Sequence, residues 1–248
     1  MIMKTSPLSQ IDLISLIEQD ARIGVVIATR DGTILSHNAT SLEFFGVGSQ
    51  HEMIGKNMRE VFVHEFAEER MRWIEKTINE NRPMKIVHVM RGRQIASTLM
   101  PLNCPDENDC QECRESRTVV TTNPRLCQDR CVAVLTRYAT SDEKEKSTET
   151  EVLESGLVDL GPLERLSARE LEVFVLLGHG HTIPETAKLL HRSPRTIEQH
   201  KASIGRKLGM STIAQIAKTV GELGLRVDDA ARQRIQAIRP EFANTKEK

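Results

Sequence analysis

All five cysteines of this 248-residue chain lie between positions 104 and 131, spaced C-x5-C-x2-C-x13-C-x3-C. Pairs such as Cys110 with Cys113, or Cys127 with Cys131, are spaced to chelate one cation through two thiolates. The four together, with Cys104 as an alternative ligand or a free thiol, suit zinc or an iron–sulfur cluster. A thiol–disulfide switch and the absence of any chemical role are the remaining readings. Asp106, Glu107, Asp109 and Glu112 flank the first pair. Their charge disfavours thiolates, and a bound cation would offset it. Arg114, Arg117, Arg125 and Arg130 act in the opposite sense.

A second set of polar residues has helical spacing. Arg195, Glu198, Gln199, Ala202 and Arg206 fall on one face. Ile197, Ile204 and Leu208 form a thin apolar stripe on the other, with His200 and Lys201 at its edges. Such a helix packs on one side and leaves the other free to enter a major groove. There Gln pairs with adenine, Arg with guanine, and Glu accepts from cytosine N4.

Three helix starts position that face. Ser167-x-x-Glu170 and Thr182-x-x-Glu185 are capping boxes, in which a hydroxyl and a carboxylate satisfy amides the helix leaves open. Ser193-Pro194 sets a cap before a proline at the first helical position. The interval from Leu190 to Ser193 is a short turn, so two helices are joined tightly. Gly209 ends the recognition helix, and Ser211 or Thr212 starts a fourth carrying Ile213, Ile216, Ala217 and Val220.

The run from Leu166 to Gly209 resembles the LuxR-type helix-turn-helix domain in its FixJ-like branch. The carrying residues include Leu166-Ser167-x-Arg169-Glu170, Gly180, Glu185-Thr186-Ala187, Ser193-Pro194-Arg195-Thr196-Ile197-Glu198-x-His200 and Lys207-Leu208-Gly209. The resemblance implies a dimer on promoter DNA. Arg195, Thr196, Glu198, Gln199 and Ala202 would face the groove, and Thr182, Lys201 and Lys207 would face phosphates. Arg206 shares the groove-side face. The usual Ser-Asn-Lys before the second helix is Thr182-Ile183-Pro184 here, and Arg192 stands in place of an apolar residue.

Charge distribution agrees with DNA binding by one part only. Residues 162–226 hold ten Lys/Arg and six Asp/Glu, a balance of +4, which leaves −5 for the rest against a net −1. A surplus of +4 is modest, so the expected binder is a homodimer on two half-sites. RNA polymerase is a further partner open to such a protein. No 18-residue apolar run and no basic-then-apolar N-terminus is present, so a cytoplasmic protein without membrane attachment is expected.

In the N-terminal half a β-branched run, Ile23–Ala28, meets Asp31-Gly32 and then Ile34-Leu35-Ser36, a strong hairpin signal. A short helical stretch with Leu42, Phe44 and Phe45 follows, then Ile54-Gly55-Lys56, then a longer helix from Val63 to Asn79. Met84–Met90 and Gln94–Leu102 read as a second hairpin and Cys131–Tyr138 as a last strand. This order resembles a PAS domain over residues 12–138. The family senses small molecules, redox state, light or oxygen, or dimerises. Its photoactive flavin cysteine segment is absent. His64 is the one candidate haem ligand, and it reads as a surface residue.

The expected architecture is therefore α+β. A PAS-like antiparallel sheet with helices spans 12–138 and carries a cysteine-rich insertion at 103–131. A polar linker covers 139–161, an all-α four-helix LuxR-type helix-turn-helix domain covers 162–226, and a tail covers 227–248. The expected function is a DNA-binding transcriptional regulator whose PAS-like half senses a redox, metal or small-molecule signal. The alternative is a zinc-stabilised dimerisation or protein-docking half, with the helix-turn-helix under a partner's control. No paired base, nucleotide loop or nucleophile–base set accompanies the cysteines, so an enzyme is not expected. If the cluster holds metal, anaerobically purified protein contains zinc, or absorbs in the visible as an iron–sulfur protein does. A colourless, metal-free protein with five titratable thiols excludes both.

Overall fold

The computed structural model describes Ile17 and residues 20–49, 51–102, 131–139 and 150–244. Cys104, Cys110, Cys113 and Cys127 lie outside them. Among the described residues the strands form one seven-stranded sheet, ordered β2-β1-β5-β4-β3-β6-β7. β1 (Gly24–Thr29) and β2 (Ile34–His37) make the expected hairpin at Asp31-Gly32, and Gly32 takes φ +87°, which favours glycine. β3 (Met84–Met90) and β4 (Arg93–Leu102) make the second hairpin. β5 (Cys131–Tyr138) lies antiparallel between β4 and β1. Leu102 pairs with Cys131, so the insertion leaves and returns at neighbouring backbone positions.

Helices α1 (Ala39–Phe45), α2 (Met58–Val61) and α3 (His64–Glu80) follow the first hairpin. Asn38 caps α1 through the Ser41 amide, and Asn57 with Glu60 forms a capping box on α2. α3 buries Phe66, Ala67, Met71, Ile74 and Ile78. This apolar stripe covers the face of the sheet bearing Ala28, Ile86, Leu99 and Val132. His64, the lone haem candidate, is exposed at its start.

Two expectations are corrected. Residues 139–161 are not simply a linker: Glu151–Val158 forms strand β6, parallel to β3. The register shifts between Val87 and Val89, so that Ser155, Gly156 and Leu157 oppose His88. The buried Glu69 carboxylate holds this irregularity. It accepts the Ser155 hydroxyl at 2.7 Å, the Gly156 amide at 3.0 Å and Arg70 Nη1 at 2.9 Å. Nor is 227–248 only a tail through its described part. Val227–Ala231 is a 3-10 helix, β7 (Gln233–Arg234) pairs with β6, and Phe62 bridges to Ile238.

The helical half starts with a 3-10 turn at Gly161–Arg165, then α4 (Ala168–Gly178), α5 (Ile183–Leu189), α6 (Pro194–Leu208) and α7 (Ile213–Leu223). All three predicted caps form. Ser167 and Thr182 make complete capping boxes, and Ser193 accepts the Thr196 amide. α4 is central, with Leu171, Val173, Phe174, Val175 and Leu177 fully buried. Its cluster also takes Val89 of β3, Val158 of β6, Leu160 and Leu163. One apolar core thus spans sheet and helices, and the halves are not two bodies on a flexible tether.

Glu170 ties α4 to α6. Its side chain, 7% exposed, accepts Ser203 Oγ at 2.6 Å, Lys207 Nζ at 2.5 Å and its own cap amide, Ser167 N, at 2.8 Å. Burial alone would raise this carboxyl, but Lys207, Ser203 and Ser167 override it and hold it at about 2 against an ordinary 4.5. A depressed folded-state value stabilises above pH 4.5, and the contribution is lost as pH falls through about 2. Glu170→Gln should therefore lower stability by roughly 2 kcal/mol at pH 7. Denaturant titrations should find that gap narrowing steadily below pH 4.5. A gap independent of pH would contradict the assignment.

Close approach of α4 and α7 needs glycine at 178, where a Cβ would meet the Val220 side chain at 2.4 Å. Gly178→Ala should cost on the order of 1–3 kcal/mol by overpacking. Adding Val220→Ala should recover part of the lost melting temperature, as neighbours that share one clash are not additive.

Candidate nucleic-acid interface and cavity

α5 and α6 meet through a turn in which His191 adopts φ +50° and the Arg192 amide donates to Ala187 O at 2.9 Å. Arg169 locks this turn to α4, donating to Leu190 O and pairing with Glu172. α6 buries Ile197 and Ile204 completely, which fixes its rotation. With those two inward, Arg195, Glu198, Gln199, Ala202 and Arg206 are all exposed, on one outward face. Lys201 is half-buried at the edge and joins Glu198, Ala202, Arg206, Ile183 and Met210 in lining a groove.

Three of the residues assigned to DNA are used within the chain. The Thr182 hydroxyl accepts the Glu185 amide at 3.3 Å and donates to the Glu185 carboxylate at 2.7 Å. Thr196 pairs its hydroxyl with Ser193 Oγ at 2.8 Å. Lys207, its side chain 37% exposed, pairs with Glu170 between α6 and α4. Spacing alone missed this because its partner lies 37 positions earlier in sequence. Arg192 is exposed, which explains why a charged residue is tolerated there.

Among the described residues no group of three or more His, Cys, Asp or Glu side chains is placed to hold a metal ion. Cys131 is 1% exposed, in an apolar cluster with Val25, Ile27, Leu35 and Ala133, and its backbone belongs to β5. No helix among the described residues is long and apolar enough to cross a membrane.

A site that spacing did not reveal lies between α3 and the sheet. A cavity of about 60 Å³ is walled by Val26, Ile34, Val47, Met53, Val61, Phe62, Phe66, Ile86, Leu99 and Val134. Its polar margin is His37, Ser41, Arg70 and Ser97. His37 Nδ1 is buried without a hydrogen-bond partner. Arg70 stacks on Phe66 at 4.1 Å and Trp73 at 4.5 Å. Burial lowers its guanidinium to about 10, still a cation at neutral pH, and the Glu69 charge opposes the fall. His88 is pushed well below its ordinary value, first by burial and then by the Arg70 charge. It is therefore neutral: Nδ1 accepts Arg70 Nη2 at 2.9 Å, and Nε2–H donates to Ser97 Oγ at 3.2 Å. Ser97 in turn pairs with Thr136 at 2.9 Å. The margin is a compensated pair, Arg70 with Glu69, extended by neutral groups.

Residues 164–220 match the family model described as bacterial regulatory proteins, luxR family. Residues 12–108 match the PAS fold. No curated protein matches the chain. Among solved structures, the chain is similar to the Vibrio cholerae VqmA dimer in the absence of target DNA. That match has 16% identity, 93% of this chain and 96% of that one covered, and a TM-score of 0.42. The VqmA–ligand–DNA complex gives 15% identity with the same coverage and a TM-score of 0.47. The PAS domain of the Cronobacter turicensis quorum-sensing receptor RpfR, in complex with C12:0, gives 16% identity, 49% and 98% coverage, and 0.31. The chain thus joins a PAS fold to a helix-turn-helix domain of the luxR family of bacterial regulatory proteins, a DNA-binding module.

Proposed function

We propose that this regulator reads promoter sequence through α6 and responds to a small molecule held in the cavity of its PAS half. The observation that carries the reading is the outward face of α6. Five residues suited to base edges and groove floor stand exposed in helical register while the opposite face is locked into the core. Arg195 and Gln199 can each form paired hydrogen bonds to a purine, and Ala202 leaves room for close approach. Lys201 at the edge of this face is positioned for phosphate, a contact that carries affinity and no sequence information. The modest charge of the module favours two copies on two half-sites.

The cavity supports the signal half of the reading. Its walls are apolar, which favours an apolar occupant. Its one cation is already balanced by Glu69, so a further buried negative charge would be uncompensated. A neutral ligand carrying one hydrogen-bonding group fits best, and His37 Nδ1 offers that group a partner. The cysteine cluster enters as a second input only if the protein carries metal or a reversible disulfide.

Gln199→Ala should reduce discrimination between operator and random duplex by roughly 1–3 kcal/mol. Lys201→Ala should weaken binding to both and lower the salt slope by about one. Affinities measured over a salt series on both duplexes separate the two effects. Equal loss on both duplexes for the Gln199 variant would remove α6 from the groove.

A further inference from the structure

The cavity as it stands is small. An apolar cavity of about 150 Å³ takes benzene, and this one, at about 60 Å³, is less than half that size. Any ligand of ring size must push a wall outward. The sheet is one wall, and the strands that line it are fixed by hydrogen-bonded neighbours on both sides, β2 excepted. The other wall includes Val47, Met53, Val61 and Phe62, from the connection between α1 and α3.

That connection is held from outside by the C-terminal segment. The Val63 amide donates to Ala237 O at 3.0 Å, and the Arg239 amide donates to Val61 O at 3.1 Å. The Arg239 side chain donates to Phe62 O at 3.0 Å and Arg59 O at 2.9 Å. The Gly48 amide donates to Phe242 O at 2.9 Å, and the Asn244 amide to Gly46 O at 3.0 Å. Ala237 is fully buried in the same apolar cluster as Val47, Met53, Val61 and Phe62. The root of the segment is in the helical half. Arg234 donates to Leu166 O at 2.6 Å, and Leu225 and Ala230 lie in the core around α4.

We propose that residues 235–244 are a strap that clamps this wall, so that a ligand larger than this cavity is accommodated only when the strap yields. The inference rests on the reading that the cavity binds a small molecule. Because the strap is anchored beside Leu166, wall movement on ligand entry is delivered to the DNA-binding half through it.

Two probes test this. Xenon, a single atom, needs little room, whereas indole exceeds the closed cavity. In the full chain, xenon should shift the methyl resonances of Ile86 and Leu99, and indole should bind weakly. Arg239→Ala, which frees the carbonyls of Phe62 in the wall and of Arg59 in α2, should leave xenon binding unchanged and tighten indole at least tenfold, with indole shifts on the same methyls. A chain ending at Arg234 should show the larger gain of the two, and the point variant decides if that chain does not fold. Xenon binding with unaltered indole affinity overturns the strap alone. Failure of xenon to bind either protein overturns the cavity reading, and the strap's role as its gate with it.

Discussion

Glu69 is buried under the sheet, and a carboxylate there must find donors or unfold its surroundings. It finds three, one beside it on α3 and two on adjacent residues of β6. Arg70 brings the charge, Ser155 a hydroxyl, and Gly156 a backbone amide that the register shift of β6 would otherwise leave open. Much follows from this one requirement. β6 is pinned in a parallel pairing to β3, with only the two-residue β7 beyond it. Its last residues, Leu157 and Val158, are thereby delivered into the apolar core. Leu160, Leu163 and Leu166 follow them into the cluster around α4. The direction in which the DNA-binding half leaves the sheet is thus set by a carboxylate on α3.

The same pair borders the cavity. Arg70 lines it with its guanidinium stacked between Phe66 and Trp73, and Glu69 faces β6. The cavity and the exit strand therefore share a single ion pair, with His88, Ser97 and Thr136 as its neutral extension across β3, β4 and β5. Breaking such a pair costs more than making it gains, because the remaining charge is left buried. A rigid connection of this kind suits a sensor, since a small shift of Arg70 cannot be absorbed locally.

Chemistry that is local in sequence was legible. Ser167, Thr182 and Ser193 announced three helix starts because a cap and its partner lie three positions apart. Asp31-Gly32 announced the first hairpin, and Ile197 with Ile204 fixed the buried side of α6. What was not legible depends on distant partners. Val152 to Val158 carries too little alternation to read as a strand, and its pairing with β3 forms some 65 positions away. The segment after Gly224 has no periodic signal, since its elements are short and its contacts reach back to β6 and to residues near 47 and 62. The pairing of Lys207 with Glu170 likewise joins residues 37 positions apart, which only packing brings together. The cavity is walled from eight separate elements and has no motif at all.

The two chain segments that join the halves converge on Asp159. This carboxylate follows β6 directly and accepts the Gly161 amide at 3.0 Å, which turns the chain into the helical half. It also accepts the Ala237 amide at 3.1 Å, the first point at which the returning segment reaches the PAS wall. Burial raises this carboxyl, and those two amides with the charge of Arg91 oppose the rise. Outgoing and returning segments are thus fastened at one residue, between the Glu69 bonds on one side and the Ala237 core position on the other. A rotation of the helical half must strain both fastenings together. Two independent tethers would allow hinge motion about either one, whereas tethers joined at their base restrict the halves to a few packed arrangements, the condition under which a small displacement at a cavity wall is passed on to a distant helix.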